Sequence, residues 1–136
     1  MEGSAVATGT LGQASDVAAQ FNRWAQALKS GDPARVAALY ARDAVLLPTL
    51  SDRIRQDTRE IVEYFTGFLA KGPEVVILSE TMREMGGVAV HCGICRFVLT
   101  RLEGRPRIDA RFTFVHEWMD GRWQIVAHHS SVIPEG

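Results

Sequence analysis

Apolar side chains recur at helical spacing in two stretches of the first half of the chain. In the first, Val17, Ala18, Phe21, Trp24, Ala25 and Leu28 repeat near every third or fourth position. Ser15 or Asp16 opens that stretch as an N-cap, and Ser30-Gly31 ends it. In the second, Thr58 caps a run carrying Ile61, Val62, Tyr64, Phe65, Phe68 and Leu69, which stops at Lys71-Gly72-Pro73. Between them Asp32-Pro33 starts a short helix, with Asp32 as cap and Pro33 at its first position. Val36, Leu39 and Tyr40 are its expected buried face. Residues 44–47 read as a short apolar strand closed by Pro48, and residues 49–57, with Arg53 and Arg55, as an exposed loop.

After Pro73 the period changes to two. Four strands are expected over residues 74–82, 87–101, 106–119 and 122–133, separated by short glycine-bearing turns. Such spacing predicts an antiparallel meander. Helices first and sheet afterwards gives an α+β domain, its three helices packed on one face of a strongly curved antiparallel sheet. The result is a cone with a pocket at its open end. Residues 1–14 read as an arm without strong periodicity, and residues 15–136 as a single domain.

The closing hairpin decides which side chains share a face. A two-residue turn over Asp120-Gly121 pairs Trp118 with Trp123 and sets Phe112, Phe114 and His116 beside Ile125 and His129. A type I turn over Met119-Asp120, with Gly121 as a bulge residue, shifts every partner by one. Arg111, Thr113, Val115 and Glu117 then join Trp123, Ile125, Ala127, His129 and Ser131 as a pocket lining. Phe112, Phe114, His116, Trp118, Val126 and His128 form the opposite face. The second grouping is the one adopted, because it gathers small and β-branched residues around Arg111 and His129.

Composition narrows the function classes. With 136 residues and a formal net charge of −1, the chain is one domain with no electrostatic reason to hold nucleic acid or an anionic membrane. No apolar run approaches membrane-spanning length, and the first residues lack the basic start and apolar core of a signal peptide, so a cytoplasmic location is expected. The chain's two cysteines form Cys92-Gly93-Ile94-Cys95 inside a strand. Residues three apart on a strand face opposite ways, so two buried free thiols are expected rather than a redox or zinc motif.

The order of elements resembles the nuclear transport factor 2-like (NTF2-like, cystatin-like) superfamily. Residues 37–49, 60–69 and 120–131 are similar to segments of the calcium/calmodulin-dependent protein kinase II association domain and its free-standing bacterial relatives, a SnoaL-like group. The resemblance runs from Asp16 to Glu135. It implies an oligomerising fold with a deep pocket, and bacterial relatives of small-molecule-binding or enzyme-like character. Arg96 looks like one of the kinase domain's pocket arginines, and His129 matches one of its histidines. The places of two further arginines hold Phe114 and Ser130, so the kinase-type anionic pocket does not carry over complete.

From these residues a site is expected in which Arg111 holds an anion while Thr113, His129 and Ser131 supply hydrogen bonds, with Arg96 assisting. Arg111 pointing inward would require an anion, either Glu117, a loop aspartate or a ligand. Trp24 and Tyr64 are the roofing residues expected to touch a ligand. The first functional reading is a pocket for a small polar or acidic organic molecule, without cofactor. The second is an isomerase, cyclase or hydratase with His129 as its catalytic acid–base, oriented by Asp43 or Glu117. The third is an oligomerisation module without ligand. His128 and His129 cannot share a metal as strand neighbours, and no metal site is expected. The apolar face bearing Phe112, Phe114, Trp118 and Val126 is expected to be the outer one and to form a homodimer.

Overall fold

The computed structural model describes residues 14–134, so the arm expected over residues 1–14 lies, apart from Ala14, outside the described residues. Helix α1 spans Ala14–Ser30 and lays Val17, Phe21, Trp24 and Leu28 against the sheet. It already includes Ser15 and Asp16, which therefore sit in the first turn rather than at the cap. Asp16 there complements the positive end of the helix dipole. Helix α2 spans Pro33–Ala37, capped as expected by Asp32, whose carboxylate accepts the Ala34 N–H at 3.0 Å. Helix α3 spans Thr58–Leu69, but its cap is Asp57, not Thr58. The extended Asp57 accepts the Glu60 N–H at 2.8 Å, and the Glu60 carboxylate accepts the Gln56 N–H at 2.8 Å.

Strands β1 (Tyr40–Leu47), β2 (Pro73–Glu84), β3 (Val88–Leu99), β4 (Arg107–Met119) and β5 (Arg122–Val132) form one five-stranded sheet in the order β1-β5-β4-β3-β2. The last four are the expected antiparallel meander. Strand β1 begins earlier than expected, at Tyr40, and lies parallel to β5 along the other edge. Bulges at Leu78 in β2 and Val126 in β5 bend the sheet around the helices. Among the described residues no helix is long and apolar enough to cross a membrane.

The turn of the β4–β5 hairpin differs from the adopted one. Met119 pairs with Arg122 and Trp118 with Trp123, so the loop is Asp120-Gly121 alone, both with positive φ (54° and 79°). Two left-handed residues are what a type I′ turn requires, and it follows the right-handed twist of the strands. The bulge that sequence reasoning put at Gly121 lies further along, at Val126, between the pairs His116–Ile125 and Val115–Ala127. Beyond it Phe114 faces His128 and Phe112 faces Ser130. These residues point at the helices. Phe112 and Phe114 are 3% and 1% exposed and pack on Phe21 and Trp24.

Two expectations fall with that register. Phe112 and Phe114 are core, Val126 packs against the same core, and Trp118 packs with Trp123, so they are not an outer apolar face awaiting a partner. Arg111, Thr113, Val115, Ala127, His129 and Ser131 do share a face, but it is the outer one. There the cross-strand rows are Val90–Val115–Ala127, Cys92–Thr113–His129 and Ile94–Arg111–Ser131.

The Cys-x-x-Cys segment behaves as strand geometry demands. Cys92 is half-buried on the outer face; Cys95 is buried inside, and burial foremost, then the Asp109 charge, pushes its thiol up to about 12. Gly93 between them has a stricter role. The β2 bulge presses its backbone onto Gly93, so a Cβ there would run into the Ser79 carbonyl and come 2.8 Å from Glu80 Cα. Backbone cannot swing aside as a side chain can. Gly93→Ala is therefore expected to cost about 3 kcal/mol, read as a lower midpoint in urea at unchanged slope.

Candidate functional site

Helices α1 and α3 meet the inner face of the sheet around a small cavity. Trp24 enters from α1, Tyr64, Phe65 and Phe68 from α3, Phe97 from β3, Leu46 from β1, and His128 and Ser130 from β5; Pro48 and Thr49 close one end. As it stands the cavity offers about 10 Å³ to the centre of a water-sized sphere, the room of one water. The wall is aromatic, with Tyr64 stacked on Phe68 (5.7 Å) and Phe68 edge-on to Phe97 (5.4 Å).

The polar groups are few and collected at one side. Trp24 Nε1–H donates to Tyr40 Oη at 3.1 Å, and Tyr40 Oη lies 2.7 Å from His128 Nδ1. An indole only donates, so the arrangement that serves all three groups runs Trp24 to Tyr40 to His128. In it the tyrosine proton goes to Nδ1, and His128 carries its own proton on Nε2. Burial, above all, keeps Tyr40 a phenol by raising its pKa well above the usual value. His128 lies flat on Phe114, ring centres 4.0 Å apart. Its pKa is pushed down to about 3, first by burial and then by His116 and His129, so it is uncharged at neutral pH. Nε2 is buried and has no hydrogen-bond partner among the described residues. The Thr49 and Ser130 hydroxyls bond to each other, and Tyr64 Oη donates to the Thr49 carbonyl at 2.7 Å.

Charges stand outside this chamber. Arg55 lies over the Tyr64 ring, 5.4 Å from its centre, and binds Glu63 at 3.3 Å together with the Ser51 hydroxyl and the Glu60 carbonyl. It borders an outer cleft of about 360 Å³ that also includes Thr49, Tyr64, Phe68 and Lys71. Thr49, Tyr64 and Phe68 thus form the partition between cleft and cavity.

Of the residues expected to form the site, Trp24 and Tyr64 stand in the cavity wall. The others do not. Arg111 is exposed and makes no ion pair among the described residues, so no anion is required of it. His129, expected as the catalytic base, is exposed on the outer face opposite Thr113, with Ser131 opposite Arg111. The carboxylates expected to orient it are elsewhere: Asp43 is exposed on β1, and Glu117 pairs with Gln124 near the turn. Arg96 makes a bidentate ion pair with Asp109 (2.7 and 3.0 Å), which raises the arginine's pKa and holds the carboxyl's below its usual value. Its side chain is bound to a partner on the outer face rather than free for a ligand. For the hairpin residues the reason is one: Arg111, Thr113, His129 and Ser131 alternate with Phe112, Phe114, His128 and Ser130, and the bulkier set is the one buried against the helices. Sequence reasoning missed His128, Tyr40, Ser130 and Thr49. The Asp-Gly pair carried a signal for the turn, but nothing in Gln124-Ile125-Val126-Ala127 announces a bulge.

Two more imidazoles lie on the inner face. His91 Nε2 is 2.8 Å from Glu80 Oε1, while its Nδ1 and the Nε2 of His116 are buried without partners among the described residues. Burial, then the neighbouring His91, lowers the His116 pKa to about 4. Among the described residues no group of three or more His, Cys, Asp or Glu side chains could hold a metal ion.

Comparison with known proteins agrees with this architecture. A comparison with curated proteins returns no match. Among solved structures, one from Xanthomonas campestris, described as a calcium/calmodulin dependent protein kinase II association domain, is 46% identical. The match covers 92% of this chain and 91% of that one, with a TM-score of 0.88. An uncharacterized cystatin-like protein from Caulobacter vibrioides (19% identity, 88% and 89% coverage, TM-score 0.73) shares the fold. So does an NTF2-like protein of unknown function from Pseudomonas putida KT2440 (18% identity, 89% and 87% coverage, TM-score 0.77). The family pattern of the calcium/calmodulin dependent protein kinase II association domain matches residues 13–134. The chain belongs to that family, within the NTF2-like, cystatin-like fold.

Proposed function

We propose that the protein binds a small, largely apolar organic molecule in the chamber between α1, α3 and the sheet. The observation that carries this reading is His128 Nε2. It is a buried nitrogen with no partner among the described residues, on a ring that lines an aromatic cavity and is anchored at its other nitrogen through Tyr40 to Trp24. Leaving a buried donor unmatched costs about 1–3 kcal/mol, and a guest that accepts from it recovers that cost. A guest larger than water requires the wall to open, and Tyr64 and Phe68, which border both the chamber and the outer cleft, are the side chains proposed to give way. Acid–base turnover fits less well. A histidine held near 3 is a weak base at neutral pH, and no carboxylate lines the cavity to exchange its proton.

A thermal-shift screen with small aromatic and alicyclic compounds tests the proposal. A shift that survives Arg111→Ala but disappears in Ser130→Leu, which fills the polar end, is the expected result. Loss with Arg111→Ala and retention with Ser130→Leu would move the site to the outer face.

Association with a second copy through the outer sheet face is a second reading, carried by the Val90–Val115–Ala127 row. No described element covers it, and the family is named for association. Val115→Glu is expected to lower the mass measured by light scattering without changing the far-UV circular dichroism. An unchanged mass would remove this face as the contact.

A further inference from the structure

We infer that the molecule held in this chamber is uncharged and presents a hydrogen-bond acceptor, a carbonyl or ether oxygen on an apolar body, rather than a carboxylate or phosphate. This inference rests on the binding reading above and names its ligand class. Ten of the described residues line the cavity, and none of them is Arg, Lys, Asp or Glu. Arg55 lies over the Tyr64 ring and is paired with Glu63, so its charge is met outside the wall. A buried anion without a partner is costly, and the chamber has no positive partner to offer it.

On this inference the neutral donor presented to the chamber is Nε2–H of His128, whose ring lines it and whose Nε2 is buried without a partner among the described residues. The Trp24–Tyr40–His128 relay favours the imidazole proton on Nε2, because a phenol that accepts from the indole and donates to Nδ1 leaves its own hydroxyl proton matched. The ring cannot rotate freely, being stacked on Phe114 and edge-on to Trp24. Tyr40 is therefore a positioning residue: it does not line the cavity, yet it decides which tautomer faces the guest. A carboxylic acid can enter only as the neutral acid, and its apparent affinity falls about tenfold per pH unit above its own pKa. A quaternary ammonium, which aromatic walls otherwise suit, would meet the hydrogen of Nε2 with the wrong sign.

Acetophenone, ethylbenzene, benzoate and phenyltrimethylammonium share an aromatic body and differ in the group presented. Titration at pH 7 should rank acetophenone first, about fivefold tighter than ethylbenzene, with the two ions not binding. In Tyr40→Phe the preference for ketone over hydrocarbon should shrink toward unity while ethylbenzene still binds. Long-range imidazole nitrogen spectra should show the Nε2 proton locked in the native protein and exchanging between tautomers in the variant. Should Tyr40→Phe not fold, His128→Phe keeps the ring stack and should likewise abolish the preference. Benzoate or the ammonium binding as tightly as acetophenone, or a ketone preference unaltered in the variants, overturns the ligand class and leaves the chamber as a binding site. No binding by any of the four overturns both.

Discussion

Phe114→Ala should lower the stability of the protein by about 4 kcal/mol, whereas Arg111→Ala, three residues away on the same strand, should change it by less than about 0.5 kcal/mol. Phe114 is 1% exposed and meets Phe21, Trp24, Phe112, His116 and His128, so its removal leaves a cavity walled by rings that cannot collapse into it. Arg111 extends into solvent and binds nothing among the described residues. In thermal melts of a domain this size, 4 kcal/mol corresponds to a fall of roughly 10–20 °C. Had the outer and inner faces been the other way round, the effects would exchange. The pair of variants is therefore a direct reading of the hairpin register in solution.

Acid should destabilise the protein before its carboxylates begin to titrate. Buried His116 and His128 have folded-state pKa values of about 4 and about 3, against an ordinary 6.5. Both are depressed by loss of water around the charged form. Between pH 6.5 and 4 the unfolded chain therefore binds more protons than the folded one, and stability falls as pH falls. With two such groups the slope approaches 2 × 1.36, about 2.7 kcal/mol per pH unit. Carried through to the folded values, the losses are on the order of 3 kcal/mol for His116 and 5 kcal/mol for His128. That is comparable with the whole stability of a typical domain. Urea midpoints taken from pH 7 to pH 5 should show the decline, at a range where Asp and Glu contribute little. His116→Gln should reduce the slope by about half. A flat profile over that range would mean that the imidazoles are hydrated, not enclosed.

Much of the fold is legible from periodicity. The helical spacing from Val17 to Leu28 and from Ile61 to Leu69, and the change to strands after Pro73, required only local chemistry. Three local features were displaced: the starts of α1 and α3 by a residue or two, where a neighbouring residue suited the role as well, and the start of β1, which lies at Tyr40 rather than residue 44. The site was less legible for a different reason. Sequence grouped Arg111, Thr113, Ala127, His129 and Ser131 together, and Phe112, Phe114, Trp118 and His128 together, and along most of the hairpin the structure keeps those groups. It reverses which group faces the helices. The bulge was expected at Gly121, where glycine invites it, and lies at Val126, where no residue type does. Moving one extra residue five positions along the strand changes the pairing near the turn, but leaves the groups beyond it intact. Trp123 and Ile125, which lie between the two places, are the residues whose grouping changed. Bulk should have decided the faces: two phenylalanines and a tryptophan are a core, and a lone arginine with two hydroxyls is a surface. The pocket-like look of small and β-branched residues around Arg111 and His129 argued the other way.

The proposed ligand site is the inner chamber around His128. Nuclear magnetic resonance spectra of the Trp24 indole and of all four imidazoles, recorded while a library of small neutral ring compounds is titrated, test that most directly. The predicted result is saturable movement of the Trp24 Nε1–H and His128 signals, with His129 unmoved. Movement confined to His129 and the backbone of Arg111 and Ser131 would contradict it, and would return the site to the outer face of the sheet.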